Sequence, residues 1–217
     1  MFDILSIGHS DLTEARFLTL LTSHKVDVIA DVRSVPFSRR NPQFSRNELR
    51  CSLKKLSMKY VFLGKELGGR PVSDADFTNG IADYDKMAAR PPFDEGIHRL
   101  LSGAESYRIA MVCSEREPLD CHRCLLVSRR LVREGARVAH IHSGGTLESH
   151  EACESRLLAL LDRDEQDLFE DTTTRLNIAY RKRSERVAYK KSEGVPSGND
   201  RENIHDRLYQ DVGTELL

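Results

Sequence analysis

Apolar positions follow two alternating rhythms over the first 160 residues. Short runs at Asp3–Ile7, Val26–Val32, Tyr60–Leu63, Arg108–Cys113 and Arg137–Ile141 have the length and continuity of strands buried on both faces. The intervening segments repeat near every 3.6 residues. Leu12–Ser23 places Leu12, Ala15, Phe17, Leu18 and Leu21 on one side, with Asp11 or Thr13 as its cap. Asn47–Leu56 does the same with Leu49, Leu53 and Leu56. Tyr84–Leu101 is split at Pro91-Pro92, Cys121–Glu134 stops at Gly135, and Leu147–Leu161 closes the series. Strict alternation of strand and helix predicts an α/β fold: an open, mostly parallel sheet with helices on both faces, a three-layer sandwich.

From Asp162 the pattern breaks. Asp162–Asp171 is acidic, Leu176–Tyr189 is helical in pattern, and Ser192–Asp200 (SEGVPSGND) is built from turn residues. The expected organisation is therefore an α/β domain over 1–161 and a charged helical appendage with a flexible tail over 162–217. No run approaches the 20 or so apolar residues that a membrane-spanning helix needs. The N-terminus lacks the basic region of a signal peptide, which points to the cytoplasm. Five cysteines (Cys51, Cys113, Cys121, Cys124 and Cys153) in a chain this large read as thiols of a reducing compartment rather than staples. Lys and Arg number 33 against 34 Asp and Glu, so a basic patch for nucleic acid must be local.

Open parallel sheets bind ligands beyond the carboxyl ends of their strands. Those ends carry Gly8-His9-Ser10, then Asp31-Val-Arg33-Ser34 with Arg39-Arg40 further on. The third offers Lys65 and Gly68-Gly69-Arg70, the fourth Cys113-Ser-Glu115-Arg116 and Cys121-His122-Arg123, the fifth His140, His142 and Gly144-Gly145. Four segments, IGHS, DVRSVPFSR-NPQF, YVFLGKELGGRP and CSEREPLDCHR, occur in this order between Ile4 and Ile141. Together they resemble the family catalogued as domain of unknown function 488. The resemblance implies a compact α/β domain in which these loops form a shared site.

Three chemistries fit the loops. Asp31 and Glu115, at or near strand ends beside arginines, suit a general acid, base or nucleophile, or else ion pairs with Arg33, Arg116 or Arg123 that shape the loops. Cys113 and Cys121, with His122, suit a nucleophilic or redox thiol, since Cys121 opens a helix whose N-terminus favours a thiolate. The same three residues are potential metal ligands, although C-x7-C-H has no second C-x2-C pair apart from Cys121-x2-Cys124. Both thiols also suit plain packing. His9, Ser10, Arg33, Lys65, Arg70, Arg116 and Arg123 would grip an anion, most simply a phosphate. There is no P-loop or G-x-G-x-x-G motif, so no cofactor is assigned. Arg181–Lys191, with Tyr180 and Tyr189, suits either a phosphate-binding strip or a packed helix face.

The expected function is an enzyme, a hydrolase or transferase, on a phosphate-bearing anion such as a nucleotide or modified nucleic acid, DNA included. N-glycosidic cleavage by the strand-end carboxylates is the leading reaction. The alternatives are a thiol- or metal-dependent enzyme using Cys113, Cys121 and His122, and a non-catalytic module binding nucleotides or nucleic acid.

Overall fold

A computed structural model describes residues 2–164 and 171–191. In chain order the elements are β1 (Ile4–Gly8), α1 (Glu14–Ser23), β2 (Val28–Asp31), α2 (Arg46–Lys55), β3 (Lys59–Phe62), α3 (Gly64–Leu67), β4 (Phe77–Thr78) and β5 (Ile81–Ala82). Then come α4 (Tyr84–Ala88), α5 (Pro91–Ala104), β6 (Ile109–Cys113), a π-helical segment (Arg123–Ser128), α6 (Arg129–Arg133), β7 (Val138–Ile141), β8 (Leu147–Ser149), α7 (His150–Asp164) and α8 (Thr172–Val187). The five apolar runs form five parallel strands within a six-stranded sheet ordered β3-β2-β6-β1-β7-β8. The chain leaving β2 turns outward to β3, whereas the chain leaving β6 crosses over β1 to β7. The two loops diverge there, and a crevice is expected at their carboxyl ends.

Side-chain alternation divides the core. Leu5, Ile7, Ile29, Ala110, Val112, Ala139 and Ile141 meet α1 and α2 through Phe17, Leu21, Leu49 and Leu53. Ile4, Val28, Ala30, Ile109, Met111 and Cys113 face the other way, onto α5, the π-helical segment and α7. Thr13 is the cap of α1, its side chain accepting from Arg16 N. The prolines open α5 instead of interrupting a helix, because the first turn has no partner for the amide hydrogens that proline lacks.

Two expectations are corrected here. Leu147–Leu161 is not one helix. Gly145, at φ +98°, closes a turn in which its N–H donates to the His142 carbonyl, and Leu147–Ser149 returns antiparallel along the free edge of β7. The expected helix at Cys121 begins later, since Cys121 is itself extended (φ −137°, ψ 139°). The π-helical turns that follow are a feature often found beside functional groups.

The segment after residue 162 is, where described, tied to the main core. Ala179 and Tyr180 of α8 are buried in it, and residues beyond α8 bond along β5 through Tyr189 O, which accepts from Ala82 N at 2.8 Å. The basic stretch is likewise engaged: Arg183 donates to the Leu119 carbonyl and pairs with Asp120, and Lys191 pairs with Asp74. The turn-rich Ser192–Asp200 segment lies outside the described residues.

Candidate functional site

Period-two geometry sends Asp31 and Cys113 to opposite faces at the end of the sheet. Asp31 is fully buried with Arg33, on the α2 side. Arg33 Nε donates to Oδ1 at 2.9 Å and Nη2 to Oδ2 at 2.6 Å, a bidentate pair that Tyr60 OH extends with a 2.7 Å bond to Oδ2. Arg33 Nη1 donates to the Phe44 carbonyl at 2.8 Å and stands 3.3 Å from His9 Nε2. His9 stacks on Phe44, with ring centroids 4.4 Å apart, and its Nδ1 lies 3.1 Å from the Ser10 carbonyl. Burial, then the Arg33 charge, lowers the His9 pKa to about 4. A neutral ring donating from Nδ1 and accepting at Nε2 satisfies both contacts. The guanidinium and both carboxylate oxygens are thus occupied within the protein.

The opposite face holds a denser group. Cys113 ends β6, Glu115 follows two residues on, and Cys121 and His122 lead into the π-helical segment. One donor atom from each lies within 4.8 Å of all the others. Glu115 Oε2 lies 2.9 Å from Cys113 Sγ and 3.0 Å from Cys121 Sγ. His122 Nδ1 is 3.7 Å from the first sulfur and 3.9 Å from the second. The other ring nitrogen, Nε2, is 2.9 Å from the Val32 carbonyl and must donate to it, so Nδ1 is the nitrogen turned toward the sulfurs. Packing holds this geometry: a Cβ on Gly69 would lie 2.6 Å from His122 Cγ, and one on Gly8 would lie 1.8 Å from the Glu115 carbonyl oxygen.

Arg123 sits beneath the loop, fully buried. Its Nη1 donates to the Glu115 carbonyl at 2.6 Å and Nη2 to the Arg116 carbonyl at 3.0 Å, while Nε has no hydrogen-bond partner among the described residues. Burial opposes the Arg123 charge, and ionised sulfur at Cys121 outweighs it and raises the Arg123 pKa. Burial also pushes both thiols up. At Cys121 the hydrogen bond from Cys113, with the charges of Arg123 and His122, outweighs burial and brings the pKa well below the usual thiol range. Cys113 stays protonated, held up by burial and its neighbour Cys121. Burial and the Cys121 charge raise Glu115, whereas His122 is raised by Cys121 and Glu115 against its burial.

The remaining residues expected at the site lie at its margin. Ser10 has φ +44°, and its carbonyl accepts from Asn41 Nδ2. Arg116 is exposed and paired with Asp11. Lys65 and Arg70 are exposed, Arg70 lying 5.2 Å over the Tyr189 ring. A cavity of about 310 Å³ opens elsewhere, lined by Asp83, Asp85, Arg129 and Arg181 among others, and none of the expected site residues lines it.

The sequence profile of the family described as "Domain of unknown function DUF488" matches residues 13–130, more than half of the chain. The chain belongs to this family. No curated protein and no solved structure matches it. The DUF488 match covers Asp31, Arg33, the Gly68-Gly69 loop and the whole Cys113–Arg123 segment, and it ends before β7.

Straddling the end of the DUF488 match, on the same face of the sheet, lies a group that sequence reasoning did not assemble. Cys124, His140 and His150 bring one donor atom each within 4.8 Å of one another, all buried. By sequence, His140 is only a strand-end residue. The available signal was weak: Cys121-x2-Cys124 and His150-x2-Cys153 both have metal-ligand spacing, but they lie far apart in the chain.

Proposed function

We propose that the protein is a metal-dependent enzyme whose ion is held by Cys113, Cys121 and His122, with Glu115 as an exchangeable fourth donor. The observation that carries this is the convergence of the four donor atoms within 4.8 Å, with His122 already oriented by Val32. A backbone carbonyl on the outer nitrogen is the usual support of a ligating histidine. Two thiolates and one carboxylate around a divalent ion leave one negative charge, which the Arg123 guanidinium offsets. Three protein ligands plus one open position is the catalytic form of such a centre. Glu115, the exposed member of the four, is the group that substrate or water would displace.

Chemically, such an ion, when bound, would lower the pKa of a coordinated water from far above neutrality to about 7. Glu115, displaced from the ion, would accept a proton from the attacking water as its oxygen bonds to the electrophilic atom, and would return that proton to the leaving group as its bond breaks. The exposed Arg39, Arg40, Lys65 and Arg70 on adjacent loops favour a phosphate-bearing substrate, a nucleotide or nucleic acid, by charge. Asp31 is not carried into this chemistry, because Arg33 and Tyr60 occupy both its oxygens.

A metal-free reading, with Cys121 as nucleophile, is favoured by its lowered pKa. It ranks second because the sulfur lies beneath the Glu115 carboxylate and the residue is only 2% exposed. The test is hydrolysis of nucleoside monophosphates and short oligonucleotides by the full chain before chelation, after chelation and after zinc return. Activity lost on chelation, restored by zinc and absent in Cys113→Ser is expected. Full activity in metal-free protein would overturn the proposal.

A further inference from the structure

The second buried group has no part in the chemistry above, and its hydrogen bonds have a direction. Tyr180 OH donates to Glu154 Oε1 at 2.8 Å, so its oxygen accepts from His150 Nε2, also at 2.8 Å. His150 therefore carries its proton on Nε2 and turns the lone pair of Nδ1 inward. There Nδ1 meets His140 Nε2 at 3.1 Å and Cys124 Sγ at 3.9 Å. The far nitrogen of His140, Nδ1, is 2.7 Å from Ser6 Oγ, a hydroxyl that serves either tautomer. Cys153 Sγ stands 3.7 Å from Cys124 Sγ. Donor atoms sharing one tetrahedral zinc are about 3.3–3.8 Å apart, as follows from Zn–N and Zn–S lengths of about 2.05 and 2.3 Å.

We infer that Cys124, His140 and His150, whose donor atoms lie within 4.8 Å of one another, form a second metal site, a closed structural zinc centre, with Cys153 turning in as its fourth ligand from its place beside Cys124. Its four ligands are each at most 1% exposed, which leaves no open coordination position for substrate. Two thiolates and two neutral imidazoles balance a divalent ion, as the interior requires. Both imidazoles have hydroxyl partners on their outer nitrogens, Ser6 and Tyr180, the second backed by a carboxylate. The ligands come from the π-helical segment, β7 and the first turn of α7, so the ion would join the helical layer to the sheet. Through His150 it would also anchor Tyr180 of α8.

The test uses metal-stripped full-length protein titrated with cobalt(II). The wild type is expected to bind two equivalents. Cys113→Ser/Cys121→Ser, which removes only the first centre, should keep one, with thiolate-to-cobalt charge-transfer absorption and tetrahedral d–d bands. Zinc should raise the melting temperature of this same double variant, a measurement that disturbs no ligand of the second site. Adding Cys124→Ser should abolish the remaining equivalent. A double variant that binds no cobalt, binds it without thiolate absorption, or melts at the same temperature with and without zinc would overturn the inference. A second site found without the first would sink the proposed function and leave this one standing.

Discussion

Asp31→Asn separates a carboxylate that works on substrate from one that holds the fold. The substitution preserves shape and removes one charge. Asn can still accept from Arg33 N and Nε at the Oδ1 position, where the native bonds are 3.1 and 2.9 Å. At the Oδ2 position its amide N–H groups would face Arg33 Nη2, 2.6 Å away in the native pair, leaving donor against donor. Tyr60 OH can rotate to accept, but the guanidinium, on a residue only 4% exposed, loses its counter-charge. Breaking one partner of such a buried pair costs about 3–5 kcal/mol. Against a total stability of about 5–15 kcal/mol, that is a large share. At about 2–4 °C per kcal/mol for a chain of this size, melting should fall by about 6–20 °C. Urea unfolding followed by far-UV circular dichroism reads the free energy directly. Asp11→Asn is the control, since its pair with Arg116 is exposed and screened by solvent, so melting should stay nearly unchanged. Asp31→Asn/Arg33→Gln should recover part of the loss, because it removes the orphaned charge. A loss below about 1 kcal/mol for Asp31→Asn, with activity abolished, would refute the structural assignment and return Asp31 to the chemistry.

Three further outcomes are expected. Gly69→Ala should push the His122 ring aside, the new Cβ lying 2.6 Å from Cγ, and weaken zinc binding at the first centre about 10–100-fold in a chelator competition; unchanged affinity would remove Gly69 from the support of that ligand. Glu115→Gln should keep metal on the other three ligands but lose hydrolysis, so retained turnover at neutral pH would exclude Glu115 as the proton acceptor. His9, with a folded pKa of about 4 against about 6.5 unfolded, binds a proton later than the unfolded chain as pH falls. Its contribution is therefore present above pH 6.5 and lost between 6.5 and 4, up to about 3 kcal/mol, and His9→Gln should flatten the stability profile over that window; parallel profiles would show that His9 titrates normally.

The apolar rhythm alone determined the five parallel strands, the layer of helices on each face and the placing of polar loops at the strand ends, since burial on both faces demands continuous apolar runs. It also determined that Cys113, Glu115, Cys121 and His122 stand near one strand end, because eight intervening residues at most cannot carry them far apart. Tertiary structure decided the rest. The turn at Gly145 folds Leu147–Ser149 onto β7, a pairing across chain segments that three residues of local pattern cannot specify. Side-chain parity at the ends of β2 and β6 puts Asp31 and Cys113 on opposite faces, which splits the expected pair of carboxylates into an ion pair on one side and a thiol cluster on the other. The same contacts spend Arg33 and Arg123 on internal acceptors, a fate that residue type does not reveal. The second cluster was hidden for the plainest reason. Cys124, His140 and His150 span 27 positions, and only the crossing of α7 over β7 makes them neighbours.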